Sequence, residues 1–414
     1  MKIVALVKVG NENETIESFV RYNMNFVDTI VIVSSCCIDN TLAILRKLIE
    51  EGLDVRLNIE TDIAYDERYL DNKYLKQIVG CDEFDLIVPL DADEFISGEG
   101  NPRLLLESLS RDEVSIVKWL NYAICEDDDF DEPFIPARLK RRKDNYEGNE
   151  IKKVILPTAV VKKTNLTLTA GRHSVIGNNI KLKEINNLWI AHFPVVSIEQ
   201  YKSMIYSESI KSIIRYNMGN KEGNHKYKQR IGLERGENLF ELANGYGLSR
   251  EEQYTLVEDP LDISFCKSDS CRIKYLELSK TDAMKDIWRT GQLMAIKAYL
   301  LDIQKQFDKN LPIILIYGAG KSADMLFDGI DAGVVNVLAY IDNDPVKELR
   351  IYNGRLVIPP DYIRFFKFDR IIISSDRYYE EMYSSLIENF VEESVISGAG
   401  YLIDKMLEKR EKGE

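Results

Sequence analysis

The chain has 414 residues, which at roughly 100 to 200 residues per domain argues for two or three domains and excludes a single small module. An apolar fraction of 45% and a charged fraction of 29% provide material for sizeable cores and exclude both disorder and collagen-like order. Against 68 acidic residues stand 54 basic ones, and the resulting charge of −14 repels polyanions, which argues against nucleic acid as a partner.

Six cysteines, at 36, 37, 81, 125, 266 and 271, include no CxxC pair and are too few for a disulfide scaffold of this length, so a reducing, cytoplasmic setting is expected. The N-terminal apolar run is too short for a signal sequence, and nowhere do eighteen apolar residues run together.

In chain order, Ile3 to Val9 reads as a buried parallel strand, Asn11 to Asn25 as a helix with acids in its first turn, and Thr29 to Val33 as a second strand. Asn40 to Glu51 is a second helix ending at Gly52, Asp54 to Ile59 a third strand, Tyr65 to Val79 a third helix and Phe84 to Leu90 a fourth strand. This alternation predicts a parallel sheet whose ligands bind at the carboxyl ends of its strands. Beyond residue 100, Glu113 to Leu120, Val154 to Val161 and Leu188 to Phe193 read as strands. Residues 197–218 and 232–310 look mostly helical, with a loop around Asp259 to Ser270. Two charge runs stand out, EDDDFDE at 126–132 and RLKRRK at 138–143.

Asp91-Ala92-Asp93-Glu94 follows the fourth strand directly, where a parallel sheet presents residues to ligand. Two aspartates spaced one apart on a turn can both reach one hard cation, whose other positions the oxygens of a diphosphate can fill. Alone, the pattern is equally a solvated acidic loop. Its context is VKVGNENE after strand one, SSCCIDNT after strand two, PLDADEF after strand four, and later His192-Phe193-Pro-Val-Val-Ser197. With those four motifs in order, residues 1 to about 230 resemble the GT-A glycosyltransferases of family 2, in the subgroup that pairs LDADEF with a His-aromatic-x-x-x-Ser motif. Ser34-Ser35 stands where that family often has an acid, and the resemblance passes base recognition to Asp39.

The resemblance implies an α/β GT-A domain and a nucleotide-sugar donor, with Mn2+ or Mg2+ held by Asp91 and Asp93 and by His192 as third ligand. It implies a nucleotide lined by Asn11, Glu12, Asp39, Asn72 and Asp91. An inverting transfer needs a carboxylate to take the acceptor's proton, and the candidates are Glu126 to Asp131 in the acidic run, with Asp127 as first choice. Arg172 and His173 are candidates for contact with the acceptor or the sugar phosphates. The basic residues between 138 and 163 suggest an anionic acceptor, such as a phosphate-bearing glycan or a lipid-linked glycan at the inner membrane face.

After Pro312 the pattern restarts: Ile313 to Tyr317, then Gly318-Ala-Gly320, then a helix, then a strand closing at Asp342. This is the dinucleotide fingerprint in the right context, and it predicts a small Rossmann-like fold. With only about ninety residues, a structural or assembly role is expected ahead of nucleotide binding. The expected organisation is therefore a GT-A domain at 1–231, a helical connector at 232–311 and a Rossmann-like domain at 312–414. The expected function is metal-dependent, inverting transfer of a sugar, such as that of a UDP-sugar, to a glycan in surface polysaccharide synthesis. A nucleotidyltransferase and a non-catalytic nucleotide-binding scaffold are the alternatives. The first would want a Gly-rich loop with a trailing basic residue after strand one, which VKVGNENE lacks.

Overall fold

Strand β1 (Ile3–Val9) is rich in β-branched residues and almost wholly buried because it runs through the middle of a large sheet. The computed structural model describes residues 1–35, 37–60, 67–144, 151–217, 226–246, 248, 253–267, 271–330 and 333–411. The chain divides into two compact units, Met1–Gly291 and Gln292–Glu414.

In the first unit, α1 (Ile16–Asn23), β2 (Thr29–Ser35), α2 (Thr41–Glu50), β3 (Val55–Glu60), α3 (Glu67–Gly80) and β4 (Leu86–Asp91) follow β1. Strands β3, β2, β1 and β4 lie side by side and parallel. The first helix starts later than expected. Residues 11 to 15 instead form a loop that reaches across to the turn after β2, where Asn13 N donates to Asp39 Oδ2 at 3.0 Å.

The chain continues through β5 (Glu94–Gly98), α4 (Pro102–Glu107), β6 (Val114–Ala123), α5 (Ile135–Arg138), β7 (Arg141–Asp144), β8 (Lys152–Pro157) and α6 (Thr158–Thr164). Strands β9 (Thr167–Leu168) and β10 (Val175–Ile176) make a small ribbon. Then come β11 (Leu182–His192), α7 (Ile198–Asn217), α8 (Lys226–Glu234), α9 (Leu239–Asn244), β12 (Thr255–Glu258), α10 (Leu276–Ser279) and α11 (Ala283–Gln304). Beside β4 the sheet turns antiparallel through β8, β6, β7 and β12, and β11 pairs with β5 and β6. The expected α/β class is what this unit adopts, as a curled sheet with a parallel half and a mixed half.

The expected strand at 154–161 breaks in two at Pro157, which has no N–H to continue the ladder, and Thr158 starts a helix there. The expected connector at 232–311 is divided between the units. Its strand β12 joins the large sheet, with Thr255 opposite Asp144, and was hidden because four residues show no period.

The second unit carries β13 (Ile313–Tyr317), α12 (Lys321–Ile330), β14 (Asn336–Ile341), β15 (Ile351–Tyr352), β16 (Arg355–Ile358), β17 (Arg370–Ile373), α13 (Tyr379–Glu388), β18 (Ile396–Gly398) and α14 (Gly400–Glu411). The parallel order β16-β14-β13-β17-β18 is the Rossmann-like arrangement expected, with β15 as an antiparallel edge. Gly318 sits at φ +97°, and a Cβ there would lie 2.5 Å from Ser374 Oγ, so the close strand-to-loop approach requires glycine. Asp342 accepts from Ala319 N at 2.9 Å, Asp344 N at 3.0 Å and Lys347 Nζ at 2.8 Å, so its carboxylate ties together the loops of its own unit.

Candidate active site

Strands β1 and β4 end side by side, with Lys8 paired to Asp91, and the loops beyond them open onto a cavity of about 430 Å³ within the first unit. That size suits a small-ligand site. Asn11, Glu12, Asp39, Asp91, Asp93, His173 and His192 all line it, so most of the residues singled out in the sequence meet in one place.

At one end of the cavity, two loops are stitched together. Ile38 N donates to Asn11 Oδ1 at 2.9 Å, Glu12 N donates to Thr41 Oγ1 at 2.8 Å, and Asp39 accepts from both Asn13 N and Thr41 N at 3.0 Å. Thr281 and Asp286, near the start of α11, form the facing wall. Ser203 Oγ donates to Asp286 Oδ2 at 2.8 Å, and burial, with Asp39 nearby, lifts the Asp286 carboxyl to about 6.

At the other end, register builds the site. Along β11 and its neighbours, His192 lies opposite Glu94 of β5 and Asn121 of β6, and Phe193 N donates to Asp93 O at 2.9 Å. The His192 ring stacks on Trp119 at 4.3 Å, its Nδ1 meets Asn121 Oδ1, and its Nε2 lies 3.1 Å from Asp93 Oδ2. An amide oxygen only accepts, so Nδ1 carries the proton. The Nε2 lone pair then faces a carboxylate, an arrangement that a shared cation or a second proton satisfies. A carbonyl behind a histidine opposite a carboxylate is the outer-shell pattern of metal-ligating histidines, so these residues fit a divalent ion.

Asp91 is placed differently. Its carboxylate takes Lys153 Nζ at 3.1 Å, with Arg172 Nη1 at 3.6 Å. Burial works to raise this carboxyl, but Lys153, Arg172 and Lys8 outweigh it and hold it well below the usual carboxylate range. Lys153 is buried and also pairs with the fully buried Glu94 at 2.8 Å, while Trp119 Nε1 donates to Glu94 Oε1 at 2.7 Å. Among the described residues, the group of three ligating side chains with all ligand atoms within 4.8 Å of one another is Cys125, Asp127 and Asp128, not Asp91, Asp93 and His192.

Three expected site residues lie elsewhere. Asn72 bridges α3 to β9, accepting from Leu168 N at 2.8 Å and donating to Leu168 O at 3.1 Å. Asp127 is exposed in an ion pair with Arg141, whose guanidinium lowers its carboxyl from the usual range, and it does not line the cavity. Arg172 is buried, bonded to Asp71 and to the carbonyls of Leu6 and Leu90, so its guanidinium ties the scaffold together, and it does not line the cavity.

The basic stretch is also largely consumed. Arg138 donates to the carbonyls of Glu132 and Val196, Arg142 pairs with Asp259 at 2.6 Å, Lys143 is buried against the Tyr254 ring, and Lys162 pairs with Asp82. These four cations therefore do not form an open anion patch, while Lys140 and Lys163 of the same stretch are exposed. The chain's third histidine, His225, lies outside the described residues.

What the sequence did not reveal is the α7 wall: Gln200, Ser203, Met204, Ser207, Glu208 and Lys211 all line the cavity. Their three- and four-residue spacing is that of one helix face, and polar residues repeating on one face were the available signal.

Among known proteins, the family described as C2185-like, N-terminal matches residues 311–397, within the second unit. No curated protein matches the chain. Solved structures similar to the chain include glucosyl-3-phosphoglycerate synthase from Mycobacterium tuberculosis in complex with Mn2+, uridine diphosphate and glucosyl-3-phosphoglycerate. That likeness is at 13% identity and TM-score 0.27, covering 63% of this chain and 88% of that one. HddC from Yersinia pseudotuberculosis is similar at 13% identity and TM-score 0.28, over 46% and 93% of the two chains. A putative glucose-1-phosphate thymidylyltransferase from Bacillus anthracis is similar at 9% identity and TM-score 0.27, over 46% and 89%. Likeness at this level carries no residue role across. Among the described residues no helix is long and apolar enough to cross a membrane.

Proposed function

We propose that the first unit is a divalent-metal-dependent glycosyltransferase that moves a sugar from a nucleoside-diphosphate donor to a hydroxyl of a glycan, with inversion. The observation that carries this reading is the opposition of Asp93 Oδ2 and His192 Nε2 at 3.1 Å, in a cavity at the carboxyl ends of β1 and β4. Asp93 and His192 would hold the cation, and Asp91, already neutralised by Lys153, would take a hydroxyl or water beside it. The ion's chemistry there is that of a Lewis acid on the diphosphate leaving group. Asn11, Glu12 and Asp39 line the nucleoside end, where the Asn13 and Thr41 backbone bonds fix Asp39 in place. The polar α7 wall suits a hydroxyl-rich substrate.

The test is turnover of UDP-sugars with Mn2+ by the full chain and by Asp93→Ala. The reading expects release of UDP that depends on Mn2+ and is lost in the variant. Unchanged turnover in Asp93→Ala refutes the cation site. For the second unit we propose an assembly or structural role, since Asp342 is committed to its own loops; a thermal shift with NAD, NADP or a UDP-sugar that maps to this unit refutes it.

A further inference from the structure

Transfer needs a group that removes the acceptor's proton, and Asp127 lies outside the cavity. Four of the carboxylates that line the cavity have other work. Asp91 is held by Lys153, Asp93 faces His192, Asp39 takes two backbone N–H groups, and Glu208 pairs with Lys211 at 2.9 Å. Glu12 stands with Asp39 at the nucleoside end, its backbone N bonded to Thr41 Oγ1. Two groups remain to be weighed, Asp286 and His173. Asp286 faces Asp39, so it belongs to the nucleoside end. His173 belongs to the other end. Its ring meets Trp119 edge-on at 5.2 Å, and that same Trp119 carries the stacked His192.

The tautomer of His173 follows from its partner. Nδ1 lies 3.0 Å from Lys152 O, and a carbonyl oxygen only accepts, so Nδ1 bears the proton and Nε2 has a lone pair. Gly171 makes room for this ring: it sits at φ +70°, and a Cβ there would lie 2.7 Å from His173 Cδ2 and 2.8 Å from Nε2. The charged and titratable groups acting on the ring are Lys153, Asp91 and His192. Burial is the largest influence and lowers its basicity from the ordinary histidine value, so the ring is neutral near pH 7.

Resting on the transferase reading above, we propose that His173 Nε2 is the general base that takes the proton of the attacking hydroxyl. The acceptor O–H bond breaks and its proton passes to Nε2. The freed electron pair forms the new bond to the sugar's anomeric carbon. The bond from that carbon to the diphosphate oxygen breaks, and its electron pair leaves with the nucleoside diphosphate. Of the charges near the imidazolium so formed, the Asp91 carboxylate favours it while Lys153, the larger influence of the two, opposes it and speeds return of the proton to solvent.

The test has two parts. First, UDP-glucose, UDP-galactose, UDP-N-acetylglucosamine and GDP-mannose are each offered with Mn2+ and water as acceptor to the wild type, His173→Asn, His173→Ala and Asp286→Asn. The expected result is a loss of roughly 10²- to 10⁴-fold in kcat for His173→Asn, with UDP affinity in Mn2+ retained. Free imidazole should restore turnover to His173→Ala, which a merely structural role would not allow. Full turnover in His173→Asn, or a larger loss in Asp286→Asn, overturns the assignment. Second, nitrogen-15 NMR of the chain's three histidines, assigned by substitution, reads the ring directly. It should show a protonated Nδ1 and a bare Nε2 at neutral pH; the opposite tautomer or a charged ring overturns the proposal. A wild type that turns over no donor refutes the transferase reading itself, and this assignment falls with it even if the tautomer is as expected.

Discussion

Lys153 offers a direct check on the electrostatics of the site. It is buried between two carboxylates, 2.8 Å from Glu94 and 3.1 Å from Asp91, and its third contact is Gly171 O at 3.1 Å. Replacing it with methionine keeps the chain's bulk and leaves both carboxylates in a low-dielectric pocket with less compensation. Removing one partner of a buried pair costs about 3–5 kcal/mol, and Arg172 beside Asp91 places this case toward the lower end. All three tryptophans, Trp119, Trp189 and Trp288, lie in Met1–Gly291, so urea unfolding followed by tryptophan fluorescence reports on the unit that carries the change. The pH dependence has a definite sign. In the wild type the folded Asp91 carboxyl is depressed, so its stabilising contribution is present above its unfolded value near 4 and lost as pH falls. In Lys153→Met both carboxyls rise and protonate more readily, so the deficit is largest at pH 7 and shrinks on acidification. Adding Glu94→Gln to the variant should recover part of the loss. A deficit under about 1 kcal/mol at pH 7, the worth of an exposed pair, or one that grows toward pH 4.5, would refute this account.

Four further outcomes follow from particular contacts. Asn121→Ala frees Nδ1 of His192 and should weaken Mn2+ binding in the presence of UDP by roughly 10- to 100-fold, read by titration calorimetry. Arg172→Met leaves Asp71 buried without its guanidinium partner and should destabilise the first unit by about 3–5 kcal/mol in the same urea assay. Gly171→Ala forces a left-handed backbone on a residue with a Cβ and pushes it onto the His173 ring; a cost of about 1–2 kcal/mol plus lost turnover is expected. The Asp286 carboxyl, lifted to about 6 by burial, makes wild-type stability fall as pH rises from about 4 through 6. Asp286→Asn should therefore be more stable than wild type at pH 7.5, by roughly 1 kcal/mol after allowance for solvent screening, and converge with it at pH 4.

The parallel half of the sheet was legible because its strands are short apolar runs with helices between them, a local pattern. Asp91 and Asp93 could be placed at a strand end for the same reason, and His192 by its motif. The mixed half was not legible in that way. Whether Lys153 is a surface cation or a buried counterion depends on β8 pairing with β6, a register that no local pattern encodes. Arg172 and His173 are neighbours with opposite fates: the positive φ of 59° at Arg172 swings its guanidinium into the core while His173 stays on the cavity wall. Asn121 and Trp119 gained their roles only when β11 lay beside β6, and Asp286 only when α11 closed the cavity.

A crystal of the full chain grown with UDP and MnCl2, with data collected at a wavelength where manganese scatters anomalously, tests the central claim most directly. The account predicts an anomalous peak between Asp93 and His192 Nε2, shared with the diphosphate and absent in Asp93→Ala. A peak at Cys125, Asp127 and Asp128 instead, or UDP bound with no ion at Asp93, would contradict it.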